Sequence, residues 1–218
     1  MKKLSFLIRK NEFIIFSSLL LVIIIISNLI LTYFLNNNSK NKPNDLIIIS
    51  HPGDELIYAG SHLLEGKYLI VCLTCSNNDK EFINLINYTK DNYILLDYSE
   101  DTFKDNLDNI KEDLNDIITS QKWNSIITHN PDGEYGHSHH KLTSNIVTEL
   151  TNNNLYYFGK YYSPNTVKYH YHTMTKIPNI DDKYYLLSFY ARKDLEIDFT
   201  HIFNYEEWTP SSKWGDLS

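Results

Sequence analysis

The chain has 218 residues, of which 42% are hydrophobic and 14% aromatic, and its formal net charge at pH 7 is −7. Beyond residue 40 it carries 15 Lys and Arg against 26 Asp and Glu, a balance of −11. This balance argues against a nucleic-acid partner, because a nucleic-acid-binding surface needs a basic face. The length predicts one folded domain of ordinary size after any targeting segment.

The N-terminal part of the sequence predicts a membrane anchor. Residues 13–35 contain no charged side chain, and a helix of that length, at about 1.5 Å per residue, crosses a hydrocarbon core of roughly 30 Å. No small-residue cleavage site follows, so an uncleaved single-pass anchor is favoured over a signal peptide. We therefore divide the chain into a basic tail (1–12), the anchor (13–35), a polar linker (36–44) and a folded domain (45–218).

Charges beside the anchor predict its orientation. Four basic residues precede the span and two follow it closely. The positive-inside tendency therefore places the short tail in the cytoplasm and the domain on the other side of the membrane. An endomembrane such as the endoplasmic reticulum is expected if the host is eukaryotic, although the side of the membrane stays open.

Within the domain, strand-like and helix-like segments alternate. Short apolar runs that fit buried parallel strands occupy residues 45–50, 68–74, 93–98 and 123–129. Residues 102–121 and the segment after Gly136 have apolar side chains at helical spacing. The alternation predicts a three-layer α/β/α, Rossmann-like domain with a mostly parallel sheet. In the tyrosine-rich last third we expect one more strand in LYYFGKYYS and a helix in KYYLLSFYARK.

The two cysteines, Cys72 and Cys75, end a strand-like run. No second pair exists to complete a zinc knuckle, and the pair does not open a helix as thiol redox motifs do. Packing residues are the favoured interpretation, and a local disulfide stays open.

Two polar motifs follow the first and fourth predicted strands, at the sheet edge where ligands bind. In HPGDE, His51 and Asp54 can converge on one metal ion, because the Pro52-Gly53 corner reverses the chain between them. A third ligand must come from GHSHH. There, helical spacing puts His137 and His140 on one face of the helix, so that one of them binds metal and the other faces the substrate. The same spacing predicts that His139 points away from both.

Together, HPGDELIYAG and THNPDGEYGHSHHK resemble the LmbE/PIG-L family of zinc-dependent de-N-acetylases, which includes N-acetylglucosaminylphosphatidylinositol deacetylase. The resemblance covers residues 45–150. It implies that His51, Asp54 and His140 bind Zn²⁺, that His137 faces the scissile amide and that Tyr135 helps to hold the oxyanion. The implied substrate is an N-acetylated amino sugar, with or without a lipid attached.

The sequence departs from the family pattern at two positions. The family's general base is an aspartate where this chain has Gly53, and a second aspartate is replaced by His139. A positioned acid or base is typically worth 10²–10⁴-fold in rate. Asp132, Glu134 or His137 could act as the base instead, or the metal-bound hydroxide could react with weak help.

These departures leave three functions to compare. The first is a membrane-anchored zinc-dependent N-deacetylase with an altered base. The second is a catalytically impaired homologue that binds a glycan or a lipid headgroup. A zinc hydrolase acting on another amide is a third and weaker alternative.

Overall fold

The computed structural model describes residues 26–27, 42–151, 153–191 and 199–217. The chain divides into two compact units, residues 1–42 and 43–218, and the sheet with its covering helices belongs to the second unit. Among the described residues, no helix has the length and apolar character needed to cross a membrane. The predicted anchor, residues 13–35, lies outside them apart from Ile26 and Ser27.

A six-stranded sheet forms the centre of the domain. Its strands are β1 (Asp45–Ile49), β2 (Tyr68–Cys72), β3 (Asn92–Leu95), β4 (Ser125–Thr128), β5 (Leu155–Phe158) and β6 (Trp208–Pro210). Their spatial order is β3-β2-β1-β4-β5-β6. The first five strands pair in parallel and β6 is antiparallel to β5. The mostly parallel, Rossmann-like sheet expected from the sequence is therefore confirmed.

Helices cover both faces of the sheet: α1 (Asp54–Leu63), α2 (Lys80–Thr89), α3 (Leu107–Thr119), α4 (Ser138–Leu150) and α5 (Ile180–Leu187). In β1, Ile47 and Ile49 pack into the core under α1, α2 and α5, while Leu46 and Ile48 pack into the core under α3 and α4. Because both faces are buried, the strand is a continuous apolar run. The helix predicted over residues 102–121 is divided, with a 3₁₀ helix at Glu100–Asn106 preceding α3.

The last third of the chain completes the sheet and supports α1. The expected strand and helix are present as β5 and α5, and β6 adds an edge strand that the sequence did not predict. Lys183 of α5 is fully buried, and its Nζ lies 2.7 Å from Glu206 Oε1 and donates to the Ile57 carbonyl at 2.8 Å. Glu206 also accepts a hydrogen bond from the Ser61 hydroxyl at 2.6 Å. A buried ion pair thus joins α5 and the segment before β6 to α1.

Cys72 and Cys75 form a disulfide at the carboxyl end of β2. Both residues are fully buried, as packing residues would be. The bond between them is the alternative that the sequence left open.

Candidate metal centre

The polar motifs meet where β1 and β4 lie side by side in the middle of the sheet. The helix that follows β1 packs on one face and the helix that follows β4 packs on the other. A crevice opens at the carboxyl ends of such strand pairs. Ser50, which directly follows β1, has its hydroxyl 2.9 Å from Thr143 Oγ1 of α4.

The first motif forms a tight turn between β1 and α1. Gly53 precedes α1 with φ 105° and ψ −25°, a backbone conformation that side chains disfavour and glycine adopts readily. Its carbonyl accepts hydrogen bonds from Leu56 N and Ile57 N, each at 3.1 Å. The turn lets the His51 amide donate to Asp54 Oδ2 at 2.8 Å. His51 Nδ1 lies 3.5 Å from the same Asp54 oxygen, so the two side chains face the same point.

The second motif is a loop organised by Asn130, whose Oδ1 accepts hydrogen bonds from Asp132 N at 3.0 Å and Glu134 N at 3.1 Å. Gly133 has φ 67°, and a Cβ there would lie 2.6 Å from the His137 carbonyl oxygen. The close approach explains why the loop needs glycine at this position. The loop delivers His137 to the N-terminus of α4 and His140 to its buried first turn.

Three side chains place their ligand atoms in a nearly equilateral triangle, here called the inner site. His51 Nδ1 lies 3.2 Å from His140 Nε2 and 3.5 Å from Asp54 Oδ2, and the last two atoms are 3.4 Å apart. Ligands at about 2.0–2.1 Å from a tetrahedral metal ion are about 3.3 Å from each other. The triangle therefore fits a tetrahedral ion with one position left for water or substrate, and the residues predicted to bind metal are together.

Glu134 supports the inner site from behind. Its Oε2 lies 2.6 Å from His140 Nδ1 and 3.1 Å from His129 Nδ1, and its Oε1 accepts from Asn130 N at 2.9 Å. The carboxylate holds the His140 proton on Nδ1, so that the Nε2 lone pair points into the triangle. Glu134 is buried and these contacts engage both of its oxygens, which makes it a positioning residue and an unsuitable base for a substrate.

The electrostatics favour ligands in their metal-binding forms. Burial acts to raise the pKa of Asp54, but the neighbouring His140 and His129 imidazoles hold that pKa well below its usual range. Burial, together with His129, lowers the pKa of His140 to about 4. At neutral pH the site therefore combines a carboxylate with a neutral imidazole, the forms that bind a cation.

His129, at the end of β4, belongs to the wall of the site. Its Nε2 accepts a hydrogen bond from Ser50 N at 3.0 Å, which requires a neutral ring. Although burial lowers its pKa, Glu134 and Asp54 raise it to about 9. These two properties conflict, and protonation of the ring would come at the expense of the Ser50 bond. Because the same Nε2 also lies 3.3 Å from Asp54 Oδ2, the ring near neutral pH is the protonated form, which donates to Glu134 and Asp54 and lowers the pKa values of Asp54 and His140.

The residues predicted to face substrate lie at the rim. The His137 ring is half-buried, with its centroid 4.7 Å from that of His51 and 4.5 Å from that of His140. Tyr135 is 47% exposed and its ring centroid is 5.6 Å from that of His140. Asp132, the other candidate base, is exposed and belongs to none of the groups of potential metal ligands among the described residues.

The prediction that His139 points away from the site is wrong. Its Nδ1 lies 3.0 Å from His51 Nε2, and its ring stacks on buried Phe103 with centroids 4.3 Å apart. Helical spacing does not relate His137 to His139, because α4 begins at Ser138. His137 is the N-cap, with an extended backbone at φ −61° and ψ 128°.

Glu55 holds the first-motif turn together. Its Oε2 accepts from Gly53 N at 2.9 Å and its Oε1 accepts from the Tyr190 hydroxyl. Burial raises the pKa of Glu55 to about 7. Tyr190 was not predicted, because no motif or periodicity marks a partner 135 positions away in the sequence.

The part of the chain that contains these residues is similar to a known protein family. Residues 46–151 match the family model described as PIG-L: GlcNAc-PI de-N-acetylase. Residues 46–151 form a PIG-L family domain. The PIG-L match contains both metal-site motifs and ends before β5.

A protein similar to this chain occurs in a virus. An uncharacterized protein of Acanthamoeba polyphaga mimivirus is 31% identical over 148 residues, which cover 58% of this chain and 65% of the relative. The chain thus spans less than two thirds of that relative's length.

Proposed function

We propose that the PIG-L domain is a metal-dependent N-deacetylase that removes the acetyl group from an N-acetylglucosamine-type sugar conjugate. The observation that carries this proposal is the ligand triangle of His51, Asp54 and His140, supported by Glu134 and contained in the family match. The family description supports the reaction class and the kind of sugar. Zinc is our choice of metal, because two imidazole nitrogens and one carboxylate oxygen are typical of catalytic zinc sites.

The reaction breaks the amide C–N bond and adds water across it, giving acetate and a free amine. Bound zinc supplies a water of lowered pKa and a polarised acetyl carbonyl. A proton must also pass from the attacking water to the amine nitrogen. The chain has to supply a group that carries it.

We assign that proton transfer to His137. Burial and the neighbouring His51 lower the pKa of His137, so the ring is neutral near pH 7 and can accept a proton before returning it to the leaving amine. Its position at the rim, beside both His51 and His140, supports this role. We assign to the hydroxyl of Tyr135, whose ring lies beside His137 and His140, the donation of a hydrogen bond to the developing oxyanion.

A second candidate function follows from Gly53. Glycine has no carboxylate to act as the base. Besides the candidate ligand Asp54, this turn carries the carboxylate of Glu55, which already accepts hydrogen bonds from the Gly53 amide and the Tyr190 hydroxyl. An impaired homologue that binds a glycan or a lipid headgroup is therefore the alternative.

Metal analysis and acetate release from the purified chain test the two functions. We expect one zinc per chain and acetate release from N-acetylglucosaminyl-phosphatidylinositol or simpler N-acetylglucosamine glycosides. His137→Ala should lower turnover by about 10²-fold or more without changing zinc content, and the exposed His172→Ala should change neither. Zinc binding without acetate release from any of these substrates, together with turnover gained by Gly53→Asp, would establish the impaired homologue.

We further propose that residues 13–35 anchor the chain in a membrane, with the domain on the non-cytoplasmic side, in an endomembrane such as the endoplasmic reticulum if the host is eukaryotic. The Cys72–Cys75 disulfide supports this side, because disulfides persist in oxidising compartments. The anchor also suits a lipid-linked substrate. Protease accessibility of a tag at either terminus in sealed membranes tests the orientation, and a cytoplasmic C-terminal tag would contradict it.

A further inference from the structure

A second group of potential ligands lies beside the inner site and uses the other nitrogen of His51. Ring nitrogens of His51, His137 and His139 all lie within 4.8 Å of one another, and His51 Nε2 is 3.0 Å from His139 Nδ1. Imidazole suits borderline divalent cations. We propose that these three histidines form an outer site that binds such a cation, for example Zn²⁺, Co²⁺ or Ni²⁺, through nitrogen ligands alone.

The fold holds these rings close to the positions that a cation needs. The His139 ring is held against Phe103, with the two planes 13° apart. The 3.0 Å separation from His51 fits an N–H···N hydrogen bond, and a cation replaces the shared proton once the two nitrogens move apart by a few tenths of an ångström. His137 has to move further, and because its Nδ1 accepts a hydrogen bond from His139 N at 3.3 Å, it offers Nε2 to the cation.

Sharing His51 makes the two sites exclude each other. A neutral imidazole has one N–H and one lone pair, so His51 serves the inner site through Nδ1 or the outer site through Nε2. The inner site includes the Asp54 carboxylate and therefore attracts a dication more strongly than three neutral rings do. The outer site fills when an inner ligand is lost. An ion there engages His137 and leaves Asp54 and His140 without their third ligand.

This inference concerns metal binding only and does not rest on the proposed reaction. It does rest on a residue particular to this sequence. His139 stands where the family motif has an aspartate, and without its imidazole the outer group would have two nitrogens.

The test is a Co²⁺ titration of the full chain, followed by visible absorption. His140→Ala removes an inner ligand, and we expect this variant still to bind one Co²⁺. Adding His139→Ala should weaken that binding at least about 100-fold, since even outer-shell substitutions cost 10–100-fold. The matched control, His172→Ala in the same background, should have no effect, because His172 is exposed and belongs to none of the ligand groups among the described residues.

A folded His140→Ala variant that binds no cobalt, or that binds it equally well with and without His139, would overturn the proposal. If His140→Ala does not fold, Asp54→Asn provides the same background with nearly unchanged side-chain shape. Cadmium-113 bound to that background in ¹⁵N-histidine-labelled protein adds a direct measurement. A one-bond coupling between cadmium and the His139 ring is expected, and its absence in the cadmium-bound protein would contradict the outer site.

Discussion

Glu134 offers a direct test of how the inner site is built. Its carboxylate lies 2.6 Å from His140 Nδ1 and fixes the tautomer that presents Nε2 to the metal. Glu134→Gln keeps the size of the side chain and the oxygen that accepts from Asn130. It removes the charge, and its amide N–H can donate to His140 Nδ1, which would move the ring proton to the nitrogen needed for the metal.

The expected cost is a loss of metal affinity. Removing the carboxylate behind a metal-binding histidine typically weakens binding 10–100-fold, which corresponds to about 1.4–2.7 kcal/mol at 1.36 kcal/mol per tenfold change. Because the Glu134 oxygen approaches His140 so closely and is buried, we expect the upper part of this range.

Competition with a chelator of known zinc affinity measures the effect. Glu149→Gln is the control, since Glu149 lies on the same helix as His140 but is exposed and paired with Lys111, and its substitution should leave zinc affinity unchanged. Circular dichroism would establish that both variants fold. If Glu134→Gln binds zinc as tightly as the parent chain while acetate release falls more than about 100-fold, Glu134 acts on the substrate and our assignment is refuted.

Three further outcomes are expected. Gly53→Asp places a side chain on a backbone with φ 105° and should lower the free energy of unfolding by about 1–2 kcal/mol in denaturant titrations; an unchanged value would contradict the strain. Lys183→Met leaves Glu206 buried without its cation and should lower the free energy of unfolding by about 3–5 kcal/mol, with a lower melting temperature. The double variant Lys183→Met with Glu206→Gln should recover part of that melting temperature, and no recovery would disprove the pairing. Burial raises the pKa of Asp91 from 3.8 to about 6. Between these two pH values the folded state keeps a proton that the unfolded state has released, so the free energy of unfolding falls as pH rises through that window. Asp91→Asn should flatten this part of the pH–stability curve, and an identical slope in both proteins would refute the assignment.

Local patterns in the sequence were enough to predict the parallel core. Ile47, Ile48 and Ile49 are apolar without alternation because the two sheet faces are both covered. The position of His51 at the end of this run then places it at the ligand-binding edge.

Contacts between distant parts of the chain were not predictable. The bond from Tyr190 to Glu55 and the ion pair from Lys183 to Glu206 depend on how the last third folds back onto α1, and no short motif encodes that path. The error at His139 had a local cause. The sequence does not say which residue of GHSHH is the cap, and a shift of one position changes which rings converge.

The hydroxyl of Tyr190 and the Lys183–Glu206 pair lie beyond residue 151, where similarity to the family ends. A chain cut at that boundary would lose two strands of the sheet and expose the apolar underside of α1, the helix that begins with Asp54. The region similar to the family therefore contains the reacting groups, but the part of the chain that folds cooperatively extends beyond that region. The last third is therefore a brace for the turn that presents His51, attached to it through the Tyr190 hydroxyl and Glu55.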